Sequence, residues 1–476
     1  MPLLDEVARR IRAIRYETLP AEAIETARFG ILDTIGCTLA GASADSTSAM
    51  LRTVLPMLAA GPALLLGSRQ TCDILNAALI NGTASHALDF DDCSNTLGGH
   101  PSAPIVPGLW ALAEARGADG RAFIAAYVAG FEMETRLARA VNFHHYEKGW
   151  HPTATLGVFG AAAACAHLIG LDDARIATAL ALAASMSSGI KANFGTMAKP
   201  FHVGHCTRNG LLAALMAEAG VTASADAFEH RQGFLDVYNG RGNYDAERLL
   251  AGWSDPLDIV EAGIAYKRHP CCGSTHPAVD AMLSLRKQHG LRPETVELVE
   301  SWTHPRRLEH TNRPDPTSGL DGKFSVQYVL ARALCEGIVS LDVFGDDDVR
   351  DKATRVVMAK VRSSADPDAI METVEHFYAR VRVTTKAGAV HEAFVDRPLG
   401  RDRDHPLPAG TLEAKFIDCA SQALVRPAAE MLLAALLQLE TAASITELSA
   451  MMAQPSKDHP AKDHPAKDHP AKDHTV

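Results

Sequence analysis

Apolar positions in the first half of the chain recur every three or four residues, the spacing that places them on one face of a helix. One such run is Ile24, Ala27, Ile31, Ile35 and Leu39. This run predicts a helix that Pro20 opens and Gly41 ends. Residues 121–141 and 154–168 are similarly regular. The second of these segments is small and apolar on all sides, which predicts a position at the centre of the core.

The pattern changes after Pro256. Three segments have the composition of strands: residues 295–303, 378–385 and 389–395. In the second of them arginine alternates with valine, and the Lys-Ala-Gly that follows predicts a turn into the third. Residues 326–336 predict a helix between the strands. This half of the chain therefore predicts an α+β unit.

We expect a mainly α protein with an α+β second domain. The all-helical domain is predicted to be discontinuous, with residues 1–266 joined by residues 402–452, and the α+β domain to span residues 267–401. From Lys457 the sequence repeats Lys-Asp-His with a period of five residues. Because proline at every fifth residue prevents a continuous helix, residues 455–476 are expected to form a disordered tail.

Composition and charge narrow the range of partners. The length of 476 residues favours two domains, and a net charge of −11 without a long basic run argues against nucleic acid. The start of the chain lacks a basic segment followed by an apolar one, and the apolar stretches are interrupted, so neither a signal peptide nor a membrane span is predicted. Nine cysteines without framework spacing suggest reduced thiols and a cytoplasmic protein.

Residues 86–92 form the first of five polar segments that carry candidate chemistry. His86 and Asp89 are three residues apart and are expected on one helix face, with Asp91 and Asp92 crowding the same helix end. The segment is consistent with a solvated acidic turn, with a histidine oriented by a carboxylate, or with an aspartate base. A metal site is disfavoured, because no other Asp/His set has ligand spacing.

Two further segments combine His-Pro with a predicted helix start. In one, two glycines precede His100, and Ser102 can cap the helix that follows. In the other, Tyr146 precedes His151 and Thr153. Backbone N–H groups at a helix start suit a carboxylate ligand, although an ordinary helix N-terminus explains the same residues.

The last two segments are rich in cations. Lys199, His202 and Arg208 occur within one, and Lys267 precedes Cys272 in the other. Lysine and arginine supply positive charge, and arginine suits bidentate binding of a carboxylate. Five such segments in an acidic chain point to an acid–base enzyme that acts on a small polycarboxylate.

Common cofactor motifs are absent from the sequence. It contains no Gly-x-Gly-x-x-Gly after a strand, no phosphate-binding Walker loop, no Gly-x-Ser-x-Gly elbow and no His-Glu-x-x-His. We therefore expect an enzyme that works without a cofactor or a metal.

Several of these segments resemble those of the MmgE/PrpD family. The motifs are Asp-Phe-Asp-Asp at 89–92, Gly-His-Pro-Ser at 99–102, Gly-Trp-His-Pro-Thr at 149–153, Lys-Pro-Phe-His-x-Gly at 199–204 and Lys-x-x-Pro-Cys-Cys-Gly at 267–273. The similarity covers about residues 5–450. It implies a large all-helical domain, a smaller α+β lid domain, a homodimer, no cofactor and a site between the domains. The family includes 2-methylcitrate dehydratase, cis-aconitate decarboxylase and iminodisuccinate epimerase.

The resemblance also implies a set of site residues. Those that match the motifs are Asp89, His100, His151, Lys199 and Lys267, with Cys93 and Cys272 nearby. We expect His100, His151 or Tyr146 to exchange a proton with substrate carbon, and Asp89 to orient a histidine. The cations expected to stabilise carboxylate charge are Lys199, Lys267 and Arg208. The other residues expected to bind substrate are His202, Cys93, Cys272, Ser102 and Thr153.

Details at three positions favour one branch of the family. Animal cis-aconitate decarboxylases are expected to have threonine at the position of Cys93 and histidine at that of Cys272. Together with Tyr146 near the Trp-His-Pro-Thr motif, these differences favour an epimerase of the iminodisuccinate type. The alternatives are 2-methylcitrate dehydratase and cis-aconitate decarboxylase. A helical binding protein or a decayed paralogue is the non-enzymatic alternative, and it would not need the Lys/His/Asp set.

Overall fold

A computed structural model describes residues 2–253, 255–370 and 377–453. The helices before residue 262 are α1 Leu3–Ala13, α2 Ala21–Gly41, α3 Asp45–Val54, α4 Ile74–His86, α5 Ser102–Arg116, α6 Gly120–Val141, α7 His144–Glu147, α8 Pro152–Thr155, α9 Gly157–Ile169, α10 Asp173–Ala184, α11 Ala198–Glu218, α12 Phe234–Asn239, α13 Glu247–Leu250 and α14 Asp258–Glu261. A short antiparallel hairpin, β1 Ala63–Leu64 and β2 Thr71–Cys72, connects α3 to α4.

Small residues allow the central helices α4, α5, α6, α9 and α11 to pack closely. A Cβ atom at Gly82 of α4 would lie 2.8 Å from the Cα atom of Gly204 in α11, so glycine is needed where these two helices cross. Every residue of α9 from Gly157 to Ala166 is buried. The central position predicted for residues 154–168 is therefore correct. The segment Pro152–Ile169 is long and apolar enough to cross a membrane, but 83% of it is buried, as in a core helix.

The chain returns to this core after the α+β region, through α21 Thr411–Ala420, α22 Arg426–Leu436 and α23 Ile445–Met452. In α21, Lys415 forms a buried ion pair of 2.7 Å with Asp33 of α2. The indole nitrogen of Trp110 in α5 donates to the hydroxyl of Ser449 in α23 at 2.9 Å. Most apolar residues of these last helices belong to the same cluster as those of α1, α2, α5, α6 and α9.

The α+β region forms a second apolar cluster around a four-stranded sheet. Its elements are α15 His276–His289, β3 Val296–Thr303, α16 Pro305–Thr311, α17 Gly319–Gly322, α18 Val326–Glu336, α19 Asp346–Arg350, α20 Lys352–Met358, β4 Val361–Ala365, β5 Ala379–Thr385 and β6 Val390–Val395. The strand order is β4-β3-β5-β6, with β4 parallel to β3 and the other pairs antiparallel. Val381 and Val383 face the core, while Arg382 lies between Glu300 and Glu392 on the opposite face.

A helical part and a smaller α+β part confirm the predicted fold class. The strand β4 was not predicted, because its Val-Arg-Ser-Ser-Ala sequence has one buried residue and little apolar alternation. The expectation that His86 and Asp89 share a helix face is wrong. Helix α4 ends at His86, and Asp89 lies beyond it with a positive φ of 51°. The predicted tail, residues 455–476, lies outside the described residues.

Candidate active site

A cavity of about 570 Å³ lies where the helical part meets the α+β part. The helical part contributes Asp89, His100, His151 and Lys199 to its lining. The α+β part contributes side chains from the segment after Lys267 and from α16. Each of the five polar segments identified in the sequence contributes at least one residue to the lining, so the cavity is the candidate active site.

Asp89 lies between two lysines at the inner end of the cavity. Its Oδ1 atom is 2.5 Å from Nζ of Lys199, and its Oδ2 atom is 3.0 Å from Nζ of Lys267. Lys267 also donates to the backbone carbonyl of Asp89 at 2.6 Å. Burial favours the neutral acid, but the two ammonium groups outweigh it and hold the pKa of Asp89 well below its usual range. The three groups therefore form an ionised cluster with one net positive charge.

Asp91 connects two buried imidazoles. Its Oδ2 atom lies 2.8 Å from Nδ1 of His86 and 3.0 Å from Nδ1 of His100. Burial works against a charged His100, yet the Asp91 carboxylate raises the pKa of His100 to about 10. Burial and the nearby cations lower the pKa of His86 to about 3. At neutral pH, His100 is therefore the imidazolium and His86 is neutral.

The carboxylate that orients His100 is not the one expected from the sequence. Asp89 was predicted to orient a histidine, but the direct contact with His100 is made by Asp91. The Oδ1 atom of Asp89 is 3.7 Å from Nε2 of His100. Asp89 is engaged by Lys199 and Lys267 instead, because its backbone turns away from the axis of α4 and its carboxylate meets both ammonium groups.

His151 precedes α8 and contributes a second imidazole to the cavity. Its Nδ1 atom lies 3.3 Å from Nδ1 of His202. Burial, assisted by the charge of Lys199, lowers the pKa of His151 well below its usual value. His151 is therefore neutral and can accept a proton. The cavity lining therefore includes a candidate acid, the protonated His100, and a candidate base, the neutral His151.

A close approach of two chain segments holds His100 near α8. A Cβ atom at Gly99 would lie 2.7 Å from Oγ1 of Thr153, so a side chain at this position would separate the segments. The backbone N–H of His100 donates to the Thr153 hydroxyl at 3.1 Å. Thr153 lines the cavity, and part of its function is to position the backbone of His100.

The two predicted cysteines and Tyr146 also line the cavity. Burial would raise the pKa of Cys93, but His100 and Lys267 lower it overall, and its Sγ atom is 3.9 Å from Nδ1 of His100. Burial would likewise raise the pKa of Cys272, but His310 lowers it to about 6. Burial raises the pKa of Tyr146, and Nζ of Lys191 lies 3.5 Å from the centroid of its ring. Tyr146 is therefore protonated at neutral pH.

Three of the predicted substrate-binding residues do not line the cavity. Ser102 is fully buried behind it, where its hydroxyl contacts Asp92 and the hydroxyl of Tyr127. His202 reaches the cavity only through its contact with His151. Arg208 is nine residues beyond Lys199 on α11, about two and a half turns, so these two side chains leave the helix on opposite faces and Arg208 does not reach the lining.

Other lining residues were not identified from the sequence. Ser274 and His310 are joined by a contact of 3.1 Å between Oγ and Nε2, and Arg307 lies one turn before His310 on α16. Asp91 was noticed only as part of an acidic cluster. The short α16 has no motif that distinguishes its cavity-facing residues, so sequence pattern alone gave no signal for Arg307 and His310.

The donor set at the inner end does not favour a resident metal ion. One nitrogen or oxygen atom from each of His86, Asp89 and His100 can be chosen so that all three lie within 4.8 Å of one another. However, both histidines direct Nδ1 to Asp91, and the Asp89 carboxylate already carries two ammonium groups. These positive charges would repel a divalent cation.

Comparison with known proteins matches both parts of this architecture. The sequence model of the MmgE/PrpD N-terminal domain matches residues 5–247, and that of the MmgE/PrpD C-terminal domain matches residues 269–441. The chain belongs to the MmgE/PrpD family.

Curated relatives are enzymes with two different activities. The chain is 31% identical to human cis-aconitate decarboxylase over 391 residues, which cover 80% of this chain and 79% of the human protein. It is 26% identical to a cis-aconitate decarboxylase of Aspergillus terreus over 95% of this chain and 96% of that protein. It is 24% identical to 2-methylcitrate dehydratase of Salmonella typhimurium over 74% of this chain and 76% of that protein.

These relatives support the family assignment made from the five motifs. The protein is an enzyme of the MmgE/PrpD family, and its chemistry is acid–base chemistry on a carboxylate substrate. The branch of the family and the individual substrate are separate questions.

Proposed function

We propose that this enzyme decarboxylates an unsaturated tricarboxylate of the cis-aconitate type. The observation that carries the proposal is the protonated His100, which Asp91 holds beside the Lys199–Asp89–Lys267 cluster. A decarboxylation needs a proton donor and stabilisation of negative charge, and it needs no base on carbon. The cis-aconitate decarboxylase activity of the human and fungal relatives supports the same reaction.

Residues of the cavity can supply the charge stabilisation and the proton that the proposed reaction requires. The bond between the departing carboxylate and its carbon breaks, and its electron pair enters an allylic carbanion that is conjugated with a remaining carboxylate. Lys199 and Lys267 stabilise the charge on that carboxylate. The imidazolium of His100 donates its proton to the far carbon of the allylic system, which yields CO₂ and an unsaturated dicarboxylate. Neutral His100 then recovers a proton from water.

Epimerisation of an iminodisuccinate-type dicarboxylate, favoured by the sequence, is the second candidate. Neutral His151 can take a proton from carbon, and protonated Tyr146 can supply one. An epimerase requires these two groups on opposite faces of the reacting carbon. A dehydratase would use His151 as base and His100 as the acid at the leaving hydroxyl.

One NMR experiment distinguishes these reactions. The purified enzyme is incubated in D₂O with cis-aconitate, 2-methylcitrate or iminodisuccinate, and proton spectra are recorded over time. We expect cis-aconitate to lose CO₂ and give an unsaturated dicarboxylate that carries one new deuterium. Deuterium exchange of the iminodisuccinate without net loss would identify an epimerase instead. Loss of water from 2-methylcitrate would identify a dehydratase.

A matched pair of variants links the activity to the cavity. His100→Asn should abolish product formation from cis-aconitate, because asparagine keeps a polar side chain but has no proton to donate at neutral pH. His289→Asn removes a histidine at the C-terminal end of α15, outside the cavity lining, and should leave the rate unchanged. Full activity in His100→Asn would contradict the proposed role.

A further inference from the structure

Arg307 lies in the cavity lining but takes no part in the reaction described above. It belongs to α16, and its Cζ atom is 3.9 Å from the centroid of the Phe377 ring. It is close enough to Tyr146 and Cys272 for its charge to influence the pKa of Tyr146. Arg307 is therefore placed beside residues that face the substrate space.

No carboxylate forms an ion pair with Arg307 in the described ranges 2–253, 255–370 and 377–453. By contrast, its neighbour Arg306 lies 3.6 Å from Glu147, and Arg313 lies 2.6 Å from Asp321. The Nε atom of Arg307 is buried and has no hydrogen-bond partner among these residues. Burial lowers the pKa of Arg307, and the charge of the nearby Cys272 thiolate offsets this effect only in part.

The Arg307 side chain is half-buried, so its guanidinium is partly removed from water and an anionic ligand would stabilise it. A buried charge without a partner destabilises a protein, and pairing with an anion recovers part of that loss. The contact with Phe377 holds the guanidinium by a cation–π interaction and leaves its N–H groups for another partner. A carboxylate is the anion that matches the planar donors of arginine.

The charges at the inner end of the cavity do not provide this anion. Lys199, Lys267 and protonated His100 already face the carboxylates of Asp89 and Asp91. This cluster has one positive charge more than it has negative charges, so it attracts one substrate carboxylate for itself. The Arg307 guanidinium requires a second substrate carboxylate as its partner.

We propose that Arg307 binds a substrate carboxylate that does not react, and thereby makes the site selective for tricarboxylates over dicarboxylates that lack this group. The inference deepens the proposed function and rests on it for the location of the substrate. It adds a specificity-determining residue that was not apparent from the sequence. It does not depend on which bond of the substrate is broken.

Calorimetric titration with unreactive ligands tests the inference. The probes are tricarballylate and two dicarboxylates that each lack one of its carboxylates, glutarate and 2-methylsuccinate. We expect the wild-type enzyme to bind tricarballylate about 10- to 100-fold more tightly than one of the dicarboxylates, the range for one charge-assisted contact. Arg307→Met should remove this difference by weakening tricarballylate and the dicarboxylate that retains the carboxylate bound by Arg307, while the other dicarboxylate binds as before. Arg307→Lys should keep part of it, because lysine keeps the charge but lacks the planar donors.

Arg306→Met is the matched control, since Arg306 is the adjacent arginine and is exposed. It should bind all three probes as the wild type does. Thermal melting by circular dichroism checks that each variant is folded, and Arg307→Lys provides the measurement if Arg307→Met does not fold. Equal weakening of all three probes, or unchanged binding of tricarballylate, would overturn the assignment of Arg307.

The binding test separates this inference from the proposed reaction. If the enzyme does not decarboxylate cis-aconitate but Arg307→Met still loses the preference for tricarballylate, the reaction is wrong and the assignment of Arg307 holds. If decarboxylation occurs and the preference is unchanged in Arg307→Met, the reaction holds and the assignment of Arg307 is wrong.

Discussion

The Asp91 carboxylate lies 3.0 Å from Nδ1 of His100, within a buried turn that follows α4. The contact determines which nitrogen of His100 faces the cavity, because Nδ1 is engaged and only Nε2 remains for the substrate. It also determines the charge of the ring, since the carboxylate raises the pKa of His100 to about 10. Asp91 therefore controls both the orientation and the protonation of the proposed proton donor.

Replacement of Asp91 by asparagine should move the alkaline limb of the pH–rate profile. A donor with a raised pKa is active below that pKa, and its activity is lost as the pH rises through it. In the wild type this loss should occur near pH 10. In Asp91→Asn the burial of His100 remains but the carboxylate charge is gone, so the loss should move below about pH 6.5, the ordinary pKa of histidine. Initial rates across this pH range provide the measurement.

Asp92→Asn is the control for this shift. Asp92 is equally buried, but it accepts hydrogen bonds from Ser102 and contacts neither His86 nor His100 among the described residues. The alkaline limb of the Asp92→Asn pH–rate profile should fall at the same pH as that of the wild type. An Asp91→Asn enzyme with an unchanged limb would show that another group donates the proton.

His151→Asn tests whether the neutral histidine takes part in proton transfer. If His151 acts as an acid or base, kcat should fall by about 10²- to 10⁴-fold, the usual contribution of general acid–base catalysis. The thermal midpoint should change little, because asparagine can retain a hydrogen bond to His202. A variant that melts several degrees lower but keeps a normal kcat when folded would assign His151 a structural role at the start of α8.

Hydrophobic spacing predicted long core helices and three of the four strands of the larger sheet, because burial imposes a regular periodicity on each, but it missed β4. It correctly predicted α18 at residues 326–336 and the strand pair around residues 379–395. It was not sufficient for the turn after His86. Asp89 has a positive φ in this turn, and its partners Lys199 and Lys267 are more than one hundred residues away in sequence.

The site was predictable to the extent that its residues occur in compact motifs. Asp89, His100, His151, Lys199 and Lys267 all line the cavity, and each belongs to a segment with several polar residues. Arg307 was missed because nothing around it in sequence distinguishes it from Arg306. Only the tertiary structure shows that one of these arginines contacts Glu147 and the other faces the cavity.

Activity should survive exhaustive chelation. The Asp89 carboxylate is already bound by two lysines, and the proposed reaction relies on His100 and these cations. We expect the same rate before and after dialysis against EDTA, with metal content followed by mass spectrometry. Loss of activity that one divalent metal restores would redirect attention to His86, Asp89 and His100 as ligands.

Lys199→Met should separate the catalytic role of Lys199 from its structural role. Lys199 is a buried partner of Asp89, with its Nζ atom 2.5 Å from Oδ1 of that carboxylate. Its removal leaves the buried carboxylate with Lys267 alone, so the free energy of unfolding should fall by roughly 1–3 kcal/mol. Turnover should fall by at least about 100-fold, the effect of losing one preorganised electrostatic contact.

The double variant Lys199→Met with Asp89→Asn tests whether Lys199 serves only to neutralise Asp89. Asparagine leaves the buried Lys267 without its carboxylate partner, so denaturant unfolding should show no recovery of the lost stability. Turnover should remain low, because the substrate carboxylate still lacks its cation. The loss of turnover in Lys199→Met combined with His151→Asn should be smaller than the product of the two separate losses, since both groups act on one transition state. Recovery of turnover together with stability in the first double variant would show that Lys199 serves only to neutralise Asp89.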